Sequence, residues 1–445
     1  MRRIGGLKGA AMAVGLALAA LSGWTGTAQA VPAFAVQTGQ PCSGCHVGGF
    51  GPQLTPYGRE FKMRGYTTRA VDFNVPVSAM AVASYVHTLA DQPQPPHYAA
   101  NDNLTVDQVS LFLAGGAGHF GAFVQATYDG VARAFHWDNL DLRATTDAHV
   151  GATKMVLGMS LNNAPTVQDP FNTLAAWGHP FTSSDLGPSP AAGPIIGALA
   201  QNTIGLTGYA WIDSHVYAEF GGYRSPGAGF LTRAGVDPND PGNISGVAPY
   251  GRIAWQNNLG DYNYEIGASV LAASIYPGRY ATSGPTDRYV DLGVDGSFQL
   301  YAGRRGVVSV DGRYTWERQT LDASNFLGMA ANTHDHLTEA RIDASYFWRN
   351  KVGFTLGAFD IRGSNDPVLY GDNRVTDPNS AGLMFQVDGS PFGAGRSPLG
   401  PRFNMKVGVQ YTAYLMFDGA AHDYDGFGHN AADNNTVRVF TWIAY

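Results

Sequence analysis

Apolar and polar residues alternate along most of the chain, and a period of two is typical of β-strands with one apolar and one polar face. In the stretch 308–316, apolar residues or glycine occupy the even positions, and Ser309, Asp311, Arg313 and Thr315 occupy the odd ones. Such stretches are about ten residues long and carry aromatic residues near their ends, as in transmembrane β-strands. Strands of soluble sandwiches also alternate but usually have five or six residues, so the length favours a transmembrane barrel.

Counting these stretches predicts about sixteen strands, an even number in the range of bacterial porins. The predicted strands lie near 77–88, 103–114, 119–130, 136–145, 152–162, 202–212, 214–224, 246–257, 262–274, 287–300, 306–320, 336–349, 351–362, 380–389, 402–417 and 435–445. The last strand runs up to an aromatic residue, Tyr445, which is a feature of outer-membrane barrels. The sequence therefore predicts an all-β fold, a transmembrane antiparallel barrel.

The connections between these strands alternate between short and long. The long ones are 89–102, 163–201, 225–245, 321–335, 363–379 and 418–434. Because transmembrane barrels have short periplasmic turns and long outer loops, this order predicts both termini on the periplasmic side of an outer membrane. No stretch of eighteen apolar residues follows residue 74, which excludes membrane-spanning helices there.

Residues 1–30 are interpreted as a signal peptide. A basic start is followed by the apolar run from Ala10 to Leu21 and by Ala28-Gln29-Ala30, a small-residue cleavage site. Removing three basic residues and no acidic ones changes the formal charge from −7 to −10. An acidic chain without a basic patch is not expected to bind nucleic acid.

The strongest chemical signal is Cys42-Ser43-Gly44-Cys45-His46, the spacing at which two thiols hold one haem covalently and the next residue ligates its iron. A thioredoxin-like redox pair is the alternative for two cysteines at this spacing, but the surrounding βαβ pattern is missing. Cys42 and Cys45 are the only cysteines of the 445 residues. One haem c attached at Cys42 and Cys45, with His46 as an axial ligand, is therefore expected.

Residues 31–74 are too few to build a core of their own. A helix is predicted over 56–64, with Thr55 as N-cap, Pro56 at the first position and Gly65 closing the end. Met63 is the local candidate for a sixth iron ligand, although a packing role is at least as common for methionine. Two downstream imidazoles, His87 and His97, are the other candidates. A sixteen-strand barrel leaves a wide lumen, so this haem-bearing segment is predicted to plug the barrel formed by 75–445.

Several runs of residues resemble the family of fused monohaem cytochrome c–porins, which includes the outer-membrane iron oxidases of iron-oxidising bacteria. The runs are Phe34-Ala35-Val36-Gln37-Thr38-Gly39, the Cys-x-x-Cys-His motif, Leu54-Thr55-Pro56-Tyr57-Gly58-Arg59, 61–66, 162–169, Asn172-Thr173 and Ala176-Trp177-Gly178. The resemblance implies oxidation of extracellular Fe(II), with electrons passed through the haem to a periplasmic carrier such as a cytochrome. The stretch 47–52 differs from the established iron-oxidising branch, so the donor is less firmly implied than the family.

Two other functions remain open from the sequence. In the first, the haem plug acts as a gate or a sensor in a transport porin. In the second, the same electron conduit uses a reduced sulfur species or a mineral as its donor.

Acidic residues in the outer loops could concentrate cations, but most are flanked by glycine, asparagine or proline, which favours a role in turns. They are Asp237, Asp240, Asp366, Asp372, Asp377, Asp418, Asp423, Asp425 and Asp433. Histidines of the outer loops, His334 with His336 and His422 with His429, supply too few ligands for a metal site. Charged residues on the polar strand faces, such as Asp141 and Arg143, are expected to pair with each other or with the plug.

Overall fold

The computed structural model describes residues 31–445 except Phe73, Arg396, Gly400 and Pro401, and describes Arg304 by its backbone alone. In this part of the chain, seventeen antiparallel strands form one sheet. β1 (Val77–Thr88) pairs with both β2 (Asn103–Ala117) and β17 (Thr436–Ala444), so the sheet closes into a barrel. The predicted signal peptide lies outside the described residues.

The remaining strands follow one another around the barrel in chain order, except that the two-residue strand Asn243–Ile244 pairs with the second strand after it in the chain. They are β3 (Phe120–Asp129), β4 (Ala134–Val150), β5 (Thr153–Asn162), β6 (Ile204–Ile212), β7 (Val216–Arg224), β8 (Asn243–Ile244), β9 (Ala248–Leu259), β10 (Tyr262–Tyr276), β11 (Asp287–Tyr301), β12 (Gly306–Thr320), β13 (His334–Trp348), β14 (Val352–Gly363), β15 (Ser380–Gly389) and β16 (Asn404–Met416). All except the two-residue β8 have nine residues or more. The sixteen predicted strands are confirmed, and their boundaries differ most at two short-turn ends, where β2 and β4 continue three and five residues beyond the predicted ends.

The outer surface of the barrel is apolar, as a lipid-facing surface requires. Leu111, Ile253 and Ile266, for example, are more than half exposed. Tyr262 and Trp348 lie beside short turns and present aromatic side chains on this surface. A closed sheet with such a surface is a transmembrane β-barrel of the outer-membrane type. None of the helices in the described ranges is long and apolar enough to cross a membrane.

The inner surface of the barrel is polar, and several of its charges are paired. Arg143 Nε lies 2.9 Å from Asp141 Oδ2, with both side chains fully buried. Arg313 Nη2 lies 2.8 Å from Glu339 Oε1. The prediction that charges on the polar strand faces pair with one another is confirmed for these residues.

The N-terminal segment lies inside the barrel and contacts its wall at many points. It contains α1 (Pro32–Thr38), α2 (Cys42–Cys45) and α3 (Pro56–Met63). Arg59 on α3 is fully buried and donates to Asn263 Oδ1 (2.7 Å) and to Ser297. Tyr66 donates to Asp141 Oδ2 (2.6 Å), and Gln299 donates to the carbonyl oxygen of Leu54 (2.8 Å). These wall contacts supply the core that the segment is too short to build alone.

The helix α3 forms where the sequence predicts it. Thr55 caps its start by accepting a hydrogen bond from Gly58 N (3.2 Å), and Pro56 occupies the first helical position. The helix ends at Met63, one residue earlier than predicted, and Gly65 follows with a φ of 64°. Phe61 packs into the segment while Tyr57 stays at the surface.

The connection 163–203 starts and ends at the long-loop end of the barrel but turns into the lumen; we call it the inward loop. Val167 and Phe171 are at most 1% exposed. It carries α4 (Ile195–Ala198) and the 3₁₀ turn Ala175–Trp177. The expectation that this connection is an outer loop is therefore wrong for most of its length. The reason is that its polar and apolar side chains contact partners in the lumen.

The other short helices are α5 (Ala228–Arg233), α6 (Asp322–Phe326), Val47–Gly49, Gly303–Arg305 and Ala431–Asn434.

A buried ion cluster fixes the inward loop to the wall. Asp169 accepts hydrogen bonds from the backbone N–H groups of Thr173 (2.9 Å) and Leu174 (3.1 Å), which folds the loop on itself. Arg252 Nη2 lies 3.3 Å from Asp169 Oδ1, and Arg252 also pairs with Asp295 at 2.8 Å. All three charged side chains are fully buried, so each depends on its partners.

We expect Gly121→Val to loosen the N-terminal segment. Gly121 lies on β3, and a Cβ there would overlap the carbonyl oxygen of Gly65. A clash with backbone cannot be relieved by a side-chain rotation. We therefore expect the free energy of unfolding to fall by about 1–3 kcal/mol. Amide hydrogen exchange over residues 61–69 should become faster. Gly208→Val, whose Cβ has no neighbour closer than 3.9 Å, is the control, and equal exchange in both variants would contradict the described contact.

Candidate functional site

The Cys-x-x-Cys-His motif lines a cavity of about 300 Å³ between the N-terminal segment and the barrel wall. This volume lies at the lower end of the range of small-molecule sites. Nine aromatic side chains line the cavity. The cavity-lining residues include Cys42, Cys45, His46, Phe34, Phe50, Phe61, Tyr66, Phe112, Phe123, Trp177, Phe181 and Trp442. The site is therefore apolar and is built jointly by α2, α3, the inward loop, β2, β3 and β17.

Local hydrogen bonds hold the motif against α3. The backbone N–H of His46 donates to Cys42 O (2.8 Å), which closes the single turn of α2. The hydroxyl of Thr55, which caps α3, also donates to Gly44 O (2.6 Å). Thr55 N donates to Cys45 O (2.9 Å). One threonine therefore links the helix cap to the motif and fixes the position of both.

The electrostatics of the motif suit a cofactor site rather than a dithiol redox pair. Burial, with Cys42 as a second cause, raises the pKa of the Cys45 thiol to about 12. Reactive redox cysteines have lowered pKa values instead. Burial lowers the pKa of His46 to about 4, so the imidazole is neutral at pH 7. Neutral imidazole is the form that binds metal ions.

The residues present fit a covalently attached haem. Cys42, Cys45 and His46 all line the same cavity, as thioether attachment and axial ligation require. The Nδ1 atom of His46 is buried without a hydrogen-bond partner. The aromatic wall supplies the flat apolar surface that a porphyrin needs. These observations favour the haem interpretation of the motif over the thioredoxin-like alternative.

The structure does not bring the candidate sixth ligands to the cavity. Met63 is fully buried among residues such as Tyr209 and Trp211, on the side of α3 that faces β6. His87 pairs with Asp102 (2.9 Å) on a partly exposed face of β1. The third candidate, His97, is exposed in the first long loop.

The thioether that lines the cavity is instead Met80 on β1. Its Sδ accepts a hydrogen bond from Trp442 Nε1 (3.3 Å). The alternation along β1 could have indicated this residue, because Val82 and Val86, at even positions like Met80, are buried in the lumen. Trp177 and Phe181, from the inward loop, are further cavity residues that strand patterns alone do not locate.

Two stretches of the family resemblance, 110 residues apart in sequence, meet at this site. Lys62 Nζ donates to Val167 O and to Asn172 Oδ1, both at 2.8 Å. Asn172 Nδ2 donates to Pro52 O (2.8 Å). The ammonium group of Lys62 lies 4.4 Å from the ring centre of Trp177. Burial, followed by repulsion from Arg143, lowers the pKa of Lys62 to about 7.

Several acidic residues of the outer loops serve turns, as the residues that flank them predict. Asp366 is fully buried and accepts from the backbone N–H groups of Asn332 (2.8 Å) and Leu369 (2.9 Å). Asp433 forms a capping box with Asn430. Within the described ranges, no three side chains of histidine, cysteine, aspartate or glutamate are grouped as a metal site would need.

Comparisons with known proteins give fold-level similarity only. No family model matches the chain, and no curated protein matches it. OprB of Pseudomonas putida is 12% identical with a TM-score of 0.49, over 83% of this chain and 94% of that one. The anion-selective porin of Comamonas acidovorans is 11% identical with a TM-score of 0.41, over 83% and 98%. OmpT of Vibrio cholerae is 8% identical with a TM-score of 0.41, over 84% and 99%.

Proposed function

We propose that the protein is an outer-membrane c-type cytochrome that carries electrons from an extracellular donor to a periplasmic carrier. The observation that supports this most directly is the shared cavity of Cys42, Cys45 and His46 inside a membrane-spanning barrel. The hydrocarbon core of a bilayer is about 30 Å thick, so a redox group held within a barrel shortens the distance that electrons must cross. Fe(II) is the donor that the family resemblance implies.

The chain's own residues have distinct roles in this proposal. Cys42 and Cys45 hold the haem through thioether bonds, and His46 binds its iron. When bound, the haem supplies one-electron transfer. Phe112, Trp177 and the other aromatic side chains of the cavity exclude water, and the wall contacts of Arg59 keep the motif in place.

The filled lumen favours electron transfer over solute transport. Lys62 of the N-terminal segment and Asn172 of the inward loop are hydrogen-bonded to each other within the barrel. A solute path through this level would require the segment or the loop to move. In the proposed orientation, the short turns and both termini face the periplasm, and the long loops face the donor.

Stopped-flow mixing tests the function. Purified, oxidised, haem-loaded protein should be reduced by Fe(II) in a single phase, followed by the haem absorbance. Dithionite is the control reductant. Reduction by dithionite without reduction by Fe(II) would remove Fe(II) as the donor. Solute flux through liposomes that contain the protein, without any donor oxidation, would instead support the haem-plugged porin.

A further inference from the structure

Three neighbouring turns at the short-turn end of the barrel carry positive charge. They are residues 302–305, 349–351 and 390–403, which join β11 to β12, β13 to β14 and β15 to β16. In sequence they contain six arginine or lysine residues and no aspartate or glutamate. The turns 213–215 and 260–261, elsewhere on the same rim, contain two aspartates and no lysine or arginine. The charge on this rim is therefore uneven.

Four of these basic residues, Arg305, Arg349, Lys351 and Arg402, define what we call the basic rim. The first three are exposed, and Arg402 is partly buried. Among the residues that the structure describes, none of the four forms an ion pair with a carboxylate. Arg349 N donates to Arg305 O (3.4 Å), and Ser390 N donates to Lys351 O (2.7 Å). The three turns thus form one connected surface with charge that no carboxylate of the described residues neutralises.

The basic rim borders the loop that follows the haem-attachment motif. Val47 packs against Val307 and Phe347 of the wall. Asn404 Nδ2 donates to Gly49 O (3.0 Å). Each of these three wall residues lies two positions from a member of the basic rim in sequence. The positive surface and the backbone next to the axial histidine are therefore parts of one local structure.

We propose that the basic rim is the docking surface for a soluble electron-transfer protein whose redox centre is surrounded by acidic side chains. This inference rests on the proposed function and adds the chemistry of the periplasmic carrier. Opposite charges speed the encounter of two proteins and fix their orientation. Docking at the basic rim places the carrier against the part of the barrel that holds the loop after His46.

The test uses full-length, haem-loaded protein in neutral detergent, with an acidic soluble monohaem cytochrome c as acceptor and a basic one for comparison. Arg349→Glu/Lys351→Glu reverses two charges of the basic rim. Arg133→Glu/Arg233→Glu makes the same change at two exposed residues of the long-loop end. We expect the rim variant to transfer electrons to the acidic cytochrome about tenfold more slowly at low ionic strength. The difference should disappear at high salt, and the control should match the unchanged protein.

Equal rates for both variants would overturn the docking surface, and so would faster transfer from the unchanged protein to the basic cytochrome than to the acidic one. An effect that is lost in nanodiscs containing phosphatidylglycerol, but kept in phosphatidylcholine nanodiscs, would assign the basic rim to lipid headgroups instead. Haem reduction by the donor is measured separately without any acceptor, so a failure of the proposed function is recognised independently. If neither cytochrome accepts electrons, the docking proposal also fails.

Discussion

The double substitution Cys42→Ser/Cys45→Ser is expected to abolish covalent haem attachment. A serine hydroxyl does not form the thioether bond that a thiol makes with a haem vinyl group, and both thiols line the same cavity. The protein, produced with a haem-attachment system, should show no haem-dependent peroxidase stain after denaturing electrophoresis. Its mass should equal that of the polypeptide alone.

Ser43→Ala is the matched control for this experiment. Ser43 lies between the two cysteines and is half-buried, so its substitution alters the same turn of α2 without removing a sulfur. This variant should keep both the stain and the added mass. A covalent haem that persists in the double serine variant would show that attachment does not use these cysteines.

Arg252→Met should destabilise the barrel strongly. The guanidinium lies within 3.3 Å of Asp169, Glu265 and Asp295, and all four side chains are fully buried. Methionine has a similar length but leaves three carboxylates without their cation. Removing one partner of a buried ion cluster in this way lowers the free energy of unfolding by about 3–5 kcal/mol. Urea unfolding of the detergent-solubilised protein, followed by tryptophan fluorescence, measures the free-energy change.

Arg362→Met provides the comparison for that variant. Arg362 pairs with Asp360 at 2.7 Å, but both side chains are nearly half exposed. Exposed pairs of this kind contribute at most about 1 kcal/mol. Similar losses of unfolding free energy in the two variants would contradict the dependence of the inward loop on its buried ion cluster.

The barrel could be predicted from the sequence because each strand carries its own signal. Lipid on one side and a polar lumen on the other impose strict alternation, as in 308–316, and this pattern needs no knowledge of distant contacts. The ends of the strands are less predictable, including those at short turns. β4 continues to Val150 while the predicted strand stops at 145, because polar residues at strand ends extend the sheet beyond the membrane.

The inward loop could not be predicted from local patterns. Its direction depends on partners far away in sequence, such as the ion pair between Asp169 and Arg252. The turn chemistry of 163–201 resembles that of an exposed loop, because polar residues suit water and a polar lumen equally. Burial in the lumen therefore has no separate signal in the sequence.

The candidate site was predictable in its chemistry but not in its surroundings. The spacing of Cys42, Cys45 and His46 identifies the attachment motif without any structure. Met63 is the candidate ligand closest in sequence, yet the turn of α3 directs it towards Tyr209, whose hydroxyl donates to Met63 O (2.7 Å). Met80 reaches the cavity from β1 because the closed sheet brings the wall around the N-terminal segment.

Iron anomalous diffraction from crystals of the haem-loaded protein would locate the haem iron relative to the barrel. We expect one iron peak within the barrel, beside His46 and between α3 and the wall formed by Phe112 and Trp442. A single peak outside the barrel, on an N-terminal segment that has left the lumen, would contradict it.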